Sequence, residues 1–459
     1  MLPMSSRTLR AFTIGLLGSA LLFGQATDGN LAGTISDSSG AAIPDAAIEL
    51  LNEATNIRVS ANTDGLGRYR FNNVLVGMYK LTASKAGFQT ASLQNVQVQL
   101  SRTSTANLAL EVGAVSTTVA VTEAAALLDT TSAQVQTTYD RRQATMLPLT
   151  GISTLGVINM SLLSAGVSSG GGVGYGTGPS VGGQRPTNNN FMVDGIDNNN
   201  RSITGPIVRV SNEAVAEFSL QQNQFSAEFG HSTGGQFNTV IRSGTNQFHG
   251  TAFEYFQNRK LNAIDEQFKR IGFRDKAPRF DSNRIGGNLG GPILKDKAFF
   301  FFNYDYNPTG QASSAKGAIF VPTADGIRQL DSVAGLSKTN LDQFKKFVPA
   351  AGAPVAGRFA SVRGSQIPLG VLSVAGPSFE NIHSYTVSGD YNISDRDQVR
   401  VRYLHRRLDS IDTIADLPSF FTPSIERAHL ASVTHFHTFA PSLTNEMRPP
   451  TLAGSRTFR

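Results

Sequence analysis

The chain has 459 residues, room for roughly three domains at about 150 residues each, and a formal charge of +6 from 40 Lys+Arg against 34 Asp+Glu. With no Cys, it has no disulfide scaffold, Cys-ligated zinc site or thiol nucleophile. So mild a charge over this length is no nucleic-acid footprint, and 45 Gly with only 16% charged residues favour strands and turns over a helical protein.

Arg7 and Arg10 precede an uncharged apolar run, Ala11–Phe23, and Gly24-Gln25-Ala26 puts small residues where a signal peptidase reads them. That run is too short to cross about 30 Å of hydrocarbon as a helix. Residues 1–26 are therefore expected to be a cleaved signal peptide. No later apolar run approaches the length of a spanning helix, so a membrane form of the mature chain has to be a barrel.

Residues 27–112 read as short strands between turns. Leu31–Asp37 ends at Ser38-Ser39-Gly40, Ala47–Leu51 follows Pro44-Asp45, and Asp64-Gly65 leads to Arg68–Phe71, where Tyr69 and Phe71 share a face. Met78–Lys85 closes on Gly87. This spacing predicts a small β-sandwich.

Residues 113–240 differ. Val115–Thr122 is a short β-branched run, and the Gly-rich stretch Gly166–Gly183 is expected to be a long loop, matching neither phosphate-binding glycine motif. Phe191–Val193 predicts a strand ending in an Asp194-Gly195 turn. Asp194, Asp197 and Asn198 depart from the spacing of a calcium loop.

From Gln236 the chain alternates. In Ser384–Ile393, Tyr385, Val387, Gly389, Tyr391 and Ile393 fall on one side and Ser384, Thr386, Ser388, Asp390 and Asn392 on the other. Ala298–Tyr306 and Val399–Tyr403 repeat the pattern. Such strands suit an outer-membrane barrel, and equally a soluble antiparallel sheet with one wet face; the aromatic faces and the export signal favour the barrel.

Two resemblances follow. Gly33–Asp37 with Gly40, Pro44 and Ala46–Ile48, then Thr63-Asp64-Gly65, Tyr69-Arg70-Phe71, Gly77-Met78-Tyr79 and Gly87-Phe88, resemble the carboxypeptidase regulatory-like domain, a transthyretin-like sandwich. The zinc peptidase that gives the family its name is not implied, because none of the seven His is followed by Glu three residues on. Phe229-Gly230, Gly234–Asn246 and Phe248-His249-Gly250 are similar to the plug-to-barrel junction of TonB-dependent outer-membrane transporters of the Oar-like branch. Leu147-Pro148-Leu149, Phe191–Asp197, Gly286–Ile293, Asp390-Tyr391-Asn392 and Thr444-Asn445-Glu446 also match.

The resemblance implies a mostly β protein: an N-terminal β-sandwich, an α+β plug over residues 113–240, and over 241–448 the first strands of an incomplete antiparallel outer-membrane β-barrel. It implies uptake of a bulky ligand, carbohydrate or siderophore-like, no cofactor, and the TonB energy-transducing complex and outer-membrane lipid as partners. Thr117, Thr118, Val119, Ala120, Val121, Thr122 and Glu123 resemble the segment that adds a strand to TonB; a plain strand of sandwich or plug is the other reading. Asp194, Gly195, Asp197, Gly234 and Gly235 are the plug-motif residues, structural in role. Residues 449–459, opening on Pro449-Pro450, are expected to be an off-family tail, and the chain a truncated or frameshifted transporter, because the residues after the junction suffice for about eight strands against about 22 in the family's barrels.

Enzymatic chemistry is not expected: the acidic residues are scattered and form no paired-carboxylate frame. His435 and His437 share a strand face without a third ligand in view, and Arg400, Arg402, Arg406 and Arg407 form a basic cluster read as lumen lining or an extracellular rim. The alternative function is a cell-surface binding protein using the sandwich for carbohydrate or protein contact.

Overall fold

The computed structural model describes residues 28–113, 118–121, 134–147, 155–169, 178–200, 205–225, 230, 232–261, 279–312, 319–372, 377–412, 417–440 and 443–458, with four single positions between 263 and 269. The expected signal peptide lies outside the described residues, as do Thr117, Thr122 and Glu123.

The first domain contains β1 (Gly29–Asp37), β2 (Ala47–Asn52), β3 (Ile57–Asn62), β4 (Arg68–Val74), β5 (Gly77–Ser84), β6 (Thr90–Val98), β7 (Thr103–Thr105), β8 (Leu108–Leu110) and β9 (Thr118–Val121). One sheet runs β4-β1-β7, with β8 also on β1; the other runs β3-β2-β5-β6-β9. Period-2 alternation builds the core: Tyr69 and Phe71 are buried while the alternate positions Arg68 and Arg70 are exposed. Leu31, Ile35, Ile48, Leu50 and Leu81 complete a fully buried centre, each side chain contributing about 1.5–3 kcal/mol on burial. Tyr69 donates its hydroxyl to the Ala106 carbonyl at 2.6 Å. Gly33 is required beside it, since a Cβ there would overlap the same carbonyl oxygen.

Two of the expected turns are closed by aspartates. The Asp37 carboxylate accepts from the Ser39 hydroxyl and from the Ser39 and Ala41 N–H groups. The Asp64 carboxylate accepts from the Arg68 and Leu66 N–H groups and the Arg68 guanidinium. These bonds hold both carboxyls below the usual carboxylate range. The second sheet runs beyond the expected boundary at residue 112: β9 lies parallel to β6, with Thr118 opposite Thr90 and Val121 opposite Leu93.

The central domain contains β10 (Val135–Asp140), α1 (Arg141–Met146), a 3-10 helix over Gly156–Leu163, β11 (Val167–Ser168), β12 (Ser180–Val181), β13 (Asn190–Val193), β14 (Ile196–Asp197), β15 (Val215–Asn223) and β16 (Gln236–Ile241). Its five-stranded sheet has the order β10-β15-β16-β13-β14. Phe191 and Phe237 stack at 5.0 Å, and Phe218 packs 6.3 Å from Phe237. The Gly-rich stretch is less open than expected at its two ends, where β11 and β12 pair as a short ribbon; residues 170–177 lie outside the described residues.

The largest sheet contains β17 (His249–Asn258), β18 (Phe280–Leu294), β19 (Ala298–Ala312), β23 (Pro377–Asn392), β24 (Asp397–Asp412), β25 (Thr422–Ala440), β26 (Leu443–Met447) and β27 (Leu452–Phe458). It is antiparallel in chain order through β26, with β27 also on β25, and it does not close among the described residues. The expected break at Pro449-Pro450 separates β26 from β27, as two residues without N–H groups require. Between β19 and β23 sit β20 (Ile319–Pro322), α2 (Ala324–Ser332), α3 (Lys338–Phe347), β21 (Pro354–Val362) and β22 (Ser365–Leu372), with sheet order β20-β22-β21. Both helices start at a hydroxyl cap: Thr323 accepts from Gly326 N–H and Ser337 from Asn340 N–H. No helix among the described residues is long and apolar enough to cross a membrane.

Candidate functional site

The site is the inner face of the large sheet and the domain packed on it. Along β23 the alternation is as expected, but its sense separates the two sheet readings. Tyr385, Val387, Tyr391 and Ile393 are the exposed side, at 36–52%. Ser384, Thr386, Ser388 and Asp390 are the buried side. Neighbouring strands agree: Val401, Tyr403 and Val433 are exposed, while Arg400, Arg402, Arg406, Ser432 and Thr434 are buried, with Asn303 and Asp305 beneath them. A soluble sheet with one wet face would show the opposite arrangement.

The exposed face is graded. In one row Tyr304, Tyr385, His405 and His429 are cross-strand neighbours, with ring separations of 4.9, 5.9 and 4.3 Å. Aliphatic positions Val387, Val401 and Val433 follow, then Tyr391 and Ile393. Tyr385 to Ile393 spans roughly 27 Å along the strand at 3.4 Å per residue, or about 20 Å in height at a barrel-like tilt. Beyond Ile393 the connections are short, 295–297, 393–396 and 441–442; at the other end they are long, 259–279, 313–376 and 413–421.

The buried face is held by charge. Arg402 donates from Nε to Asp194 at 2.6 Å and from Nη2 to Asp390 at 3.0 Å, joining the central domain to β23 and β24. Arg284 reaches Asp305 at 2.6 and 2.8 Å and Ser211 at 3.1 Å. Tyr255 donates to Glu213 at 2.7 Å, and Ser388 donates to the Arg242 carbonyl at 2.6 Å. Arg400 forms a two-pronged pair with Asp28 of the first domain at 3.0 and 3.1 Å and lies 4.0 Å from the Phe436 ring. Buried pairs of this kind are costly to break, because removing one partner strands the other charge away from water.

The plug-motif residues are shaped for this contact. Asp194 and Gly195 both have positive φ, 47° and 66°, forming the tight β13–β14 turn. The turn presents one Asp194 oxygen to Arg402 and the other to the Ile241 N–H at 2.9 Å. The Gly195 carbonyl accepts from Arg448 at 2.6 Å. Asp197 accepts from the Asn199 N–H and side chain and does not reach the sheet in these contacts. A Cβ on Gly234 would meet Asn189 Oδ1 at 2.5 Å, and one on Gly235 would meet Leu220 at 2.8 Å. Asn189, Asn198 and Asn199, flanking the Phe191–Asp197 strand, bond its neighbouring backbone.

The basic cluster is divided. Arg400, Arg402 and Arg406 point inward and are ion-paired, whereas Arg407 lies on the outward side. His435 and His437 both contact Asp397 Oδ1, at 3.2 and 2.7 Å. No group of three metal-ligating side chains occurs among the described residues. The sequence reading missed Arg284, Glu213 and Asp28; charge on the polar side of apolar-faced strands was the available signal for Arg284.

The first and central domains are joined at the Leu100 backbone. The Leu100 N–H donates to Glu217 at 2.8 Å and its carbonyl accepts from Gln136 at 2.8 Å. Burial pushes the Glu217 carboxyl up to about 7, helped by the nearby Asp140 charge and opposed by the Leu100 bond.

Residues 240–451 match the outer membrane beta barrel domain and residues 30–111 the carboxypeptidase regulatory-like domain. The chain is 27% identical over 294 residues to the TonB-dependent transporter Oar of Myxococcus xanthus, covering 63% of this chain and 27% of that relative. Solved structures similar to it include the outer membrane transporter YddB of Escherichia coli (13% identity, TM-score 0.45, 66% of this chain and 37% of that chain) and the ferric enterobactin receptor PfeA of Pseudomonas aeruginosa (14%, 0.40, 66% and 38%). The chain thus spans about a quarter of the curated relative's length.

Proposed function

From a chain that is a relative of the TonB-dependent transporter Oar and carries an outer membrane beta barrel domain, we propose a part in TonB-dependent uptake of a bulky ligand across the outer membrane. The exposed face of the large sheet lies in lipid, the short connections face the periplasm, and the central domain is the plug. The observation that carries this reading is the inverted sheet, apolar outward and charged toward a folded domain. Asp194–Arg402 and the bonds of Ser211 to Arg284 and Asp305 are among the contacts that plug movement has to break.

The TonB contact in this reading is Thr117–Glu123, whose Thr118–Val121 portion sits at the edge of the second sandwich sheet. An edge strand has free backbone groups on one side, as strand addition needs. Residues 27–112 are the periplasmic sandwich and residues 1–26 the export signal. The test is density-gradient separation of membranes followed by co-isolation with TonB. The expected result is outer-membrane recovery, with TonB bound by the wild type and lost in Val119→Pro. Recovery in the soluble periplasm contradicts the reading; undiminished TonB binding by Val119→Pro removes the segment from it.

A further inference from the structure

The two helices inserted between β19 and β23 treat their small sheet differently. α2 lies directly on it: a Cβ on Gly326 would come within 2.7 Å of the Pro368 carbonyl oxygen, and Leu330 and Ile367 are buried. α3 also carries an apolar side, Leu341, Phe344 and, just past its end, Val348, at the i, i+3, i+7 spacing of one helix face. Yet none of its residues is buried. It is tethered by Lys345, which pairs with Asp331 of α2, and by Phe347, whose ring lies 5.8 Å from Phe420 of the next long connection. The space left is a cavity of about 700 Å³, walled by Leu330, Leu341, Phe344, Ile367 and Leu369, with Leu417 of that next connection. No lining residue belongs to the central domain or the large sheet, so the cavity is separate from the charged inner face. Interiors pack too densely for a void of this size to be a by-product, and an apolar cavity takes up apolar guests rather than water. One end is polar. Ser337 and Asn340 line it, Lys338 follows Ser337, and Arg363 reaches over Gly335, where a Cβ would sit 2.5 Å from its Nη1. The insertion has three carboxylates. Asp325 and Asp331 are paired with Arg328 and Lys345, and Asp342 pairs with neither Lys338 nor Arg363.

We propose that this cavity binds an amphiphile of the fatty-acid class, with a single acyl chain in the apolar space and its carboxylate at Lys338 and Arg363. At about 30 Å³ per methylene-sized group the volume takes roughly 20 such groups, the size of one long chain with its headgroup. Two cations and no carboxylate at the polar end select an anionic head over a neutral one. The site goes beyond the uptake reading and does not depend on it.

The chain has no tryptophan, so one introduced indole reports on one place. The full chain in amphipol is made as F344W, on the cavity wall, and as F359W, on β21 outside the lining, and each is titrated with dibromostearate, which quenches only at contact. The expected result is saturable quenching of F344W and little of F359W. Stearate should restore the F344W signal, and stearyl alcohol should do so at least tenfold less effectively. Adding K338Q/R363Q to F344W should raise the half-quenching concentration at least tenfold, with K338R/R363K close to the parent and circular dichroism verifying each fold. Equal or unsaturable quenching of F344W and F359W overturns the cavity as the binding site. A blue-shifted F344W emission that dibromostearate leaves unchanged overturns it too, because a protein segment then fills the space. Equal competition by the alcohol, or an unchanged half-quenching concentration in the folded K338Q/R363Q variant, overturns the fatty-acid assignment.

Discussion

The sandwich and the large sheet obey the same period-2 rule with opposite sense. In β4 the aromatic residues Tyr69 and Phe71 are inside and the arginines outside; in β24 Val401 and Tyr403 are outside and Arg400 and Arg402 inside. Alternation therefore specifies that a strand has two unlike faces, and the surroundings decide which face is covered. Water covers the polar face of the sandwich. In the large sheet a folded domain with matching carboxylates covers the polar face, and the apolar face is the exposed one.

The comparison can be broken from either side. The largest effects are expected at the two centres. Phe71→Ala should cost the sandwich about 3–5 kcal/mol, read as a lower midpoint in denaturant unfolding with the large sheet's transition unchanged. Arg402→Ala should cost a similar 3–5 kcal/mol, because Asp194 and Asp390 are left buried without their cation. Its readout is proteolytic release of the central domain from the sheet. Val387→Arg is expected to cost about 2–4 kcal/mol in bilayers and little in aqueous buffer, the contrast that separates a lipid face from a merely exposed one.

The smallest expected effect concerns Glu217. Its carboxyl is pushed up to about 7 from an ordinary 4.5, so the folded state holds a proton that the unfolded chain has lost across that window. The stability of the folded state should therefore carry a contribution that is full below about pH 4.5 and is lost as pH rises to about 7, by roughly 2–3 kcal/mol, burial of the charge outweighing the Leu100 bond to it. Glu217→Gln keeps an acceptor for the Leu100 N–H and should flatten the dependence, measured by thermal unfolding between pH 4 and 8.

Local rules made much of this legible. The Ser384–Ile393 alternation, the Asp194-Gly195 turn and the Asp64 turn each depend on residues a few positions apart. What connects the domains does not. Arg402 finds Asp194 at a separation of 208 residues and Arg400 finds Asp28 at 372, and sequence alternation marks both as polar-face residues without naming a partner. Placing Arg407 with Arg400, Arg402 and Arg406 overlooked the same rule, since odd and even positions of β24 point opposite ways. The parallel pairing of β9 with β6 also lay beyond reach, because a run such as Thr118–Val121 suits many edges equally.

The lipid-facing assignment is the central claim, and a chain without cysteine suits its direct test. Single-cysteine variants Val387→Cys and Ser388→Cys, spin-labelled in reconstituted bilayers, are compared for collision with oxygen and with a water-soluble nickel complex. The expected result is oxygen-rich, nickel-poor exposure at position 387 and protection from both at 388. Strong nickel collision at position 387, equal to that at exposed Arg58→Cys in the sandwich, would contradict it.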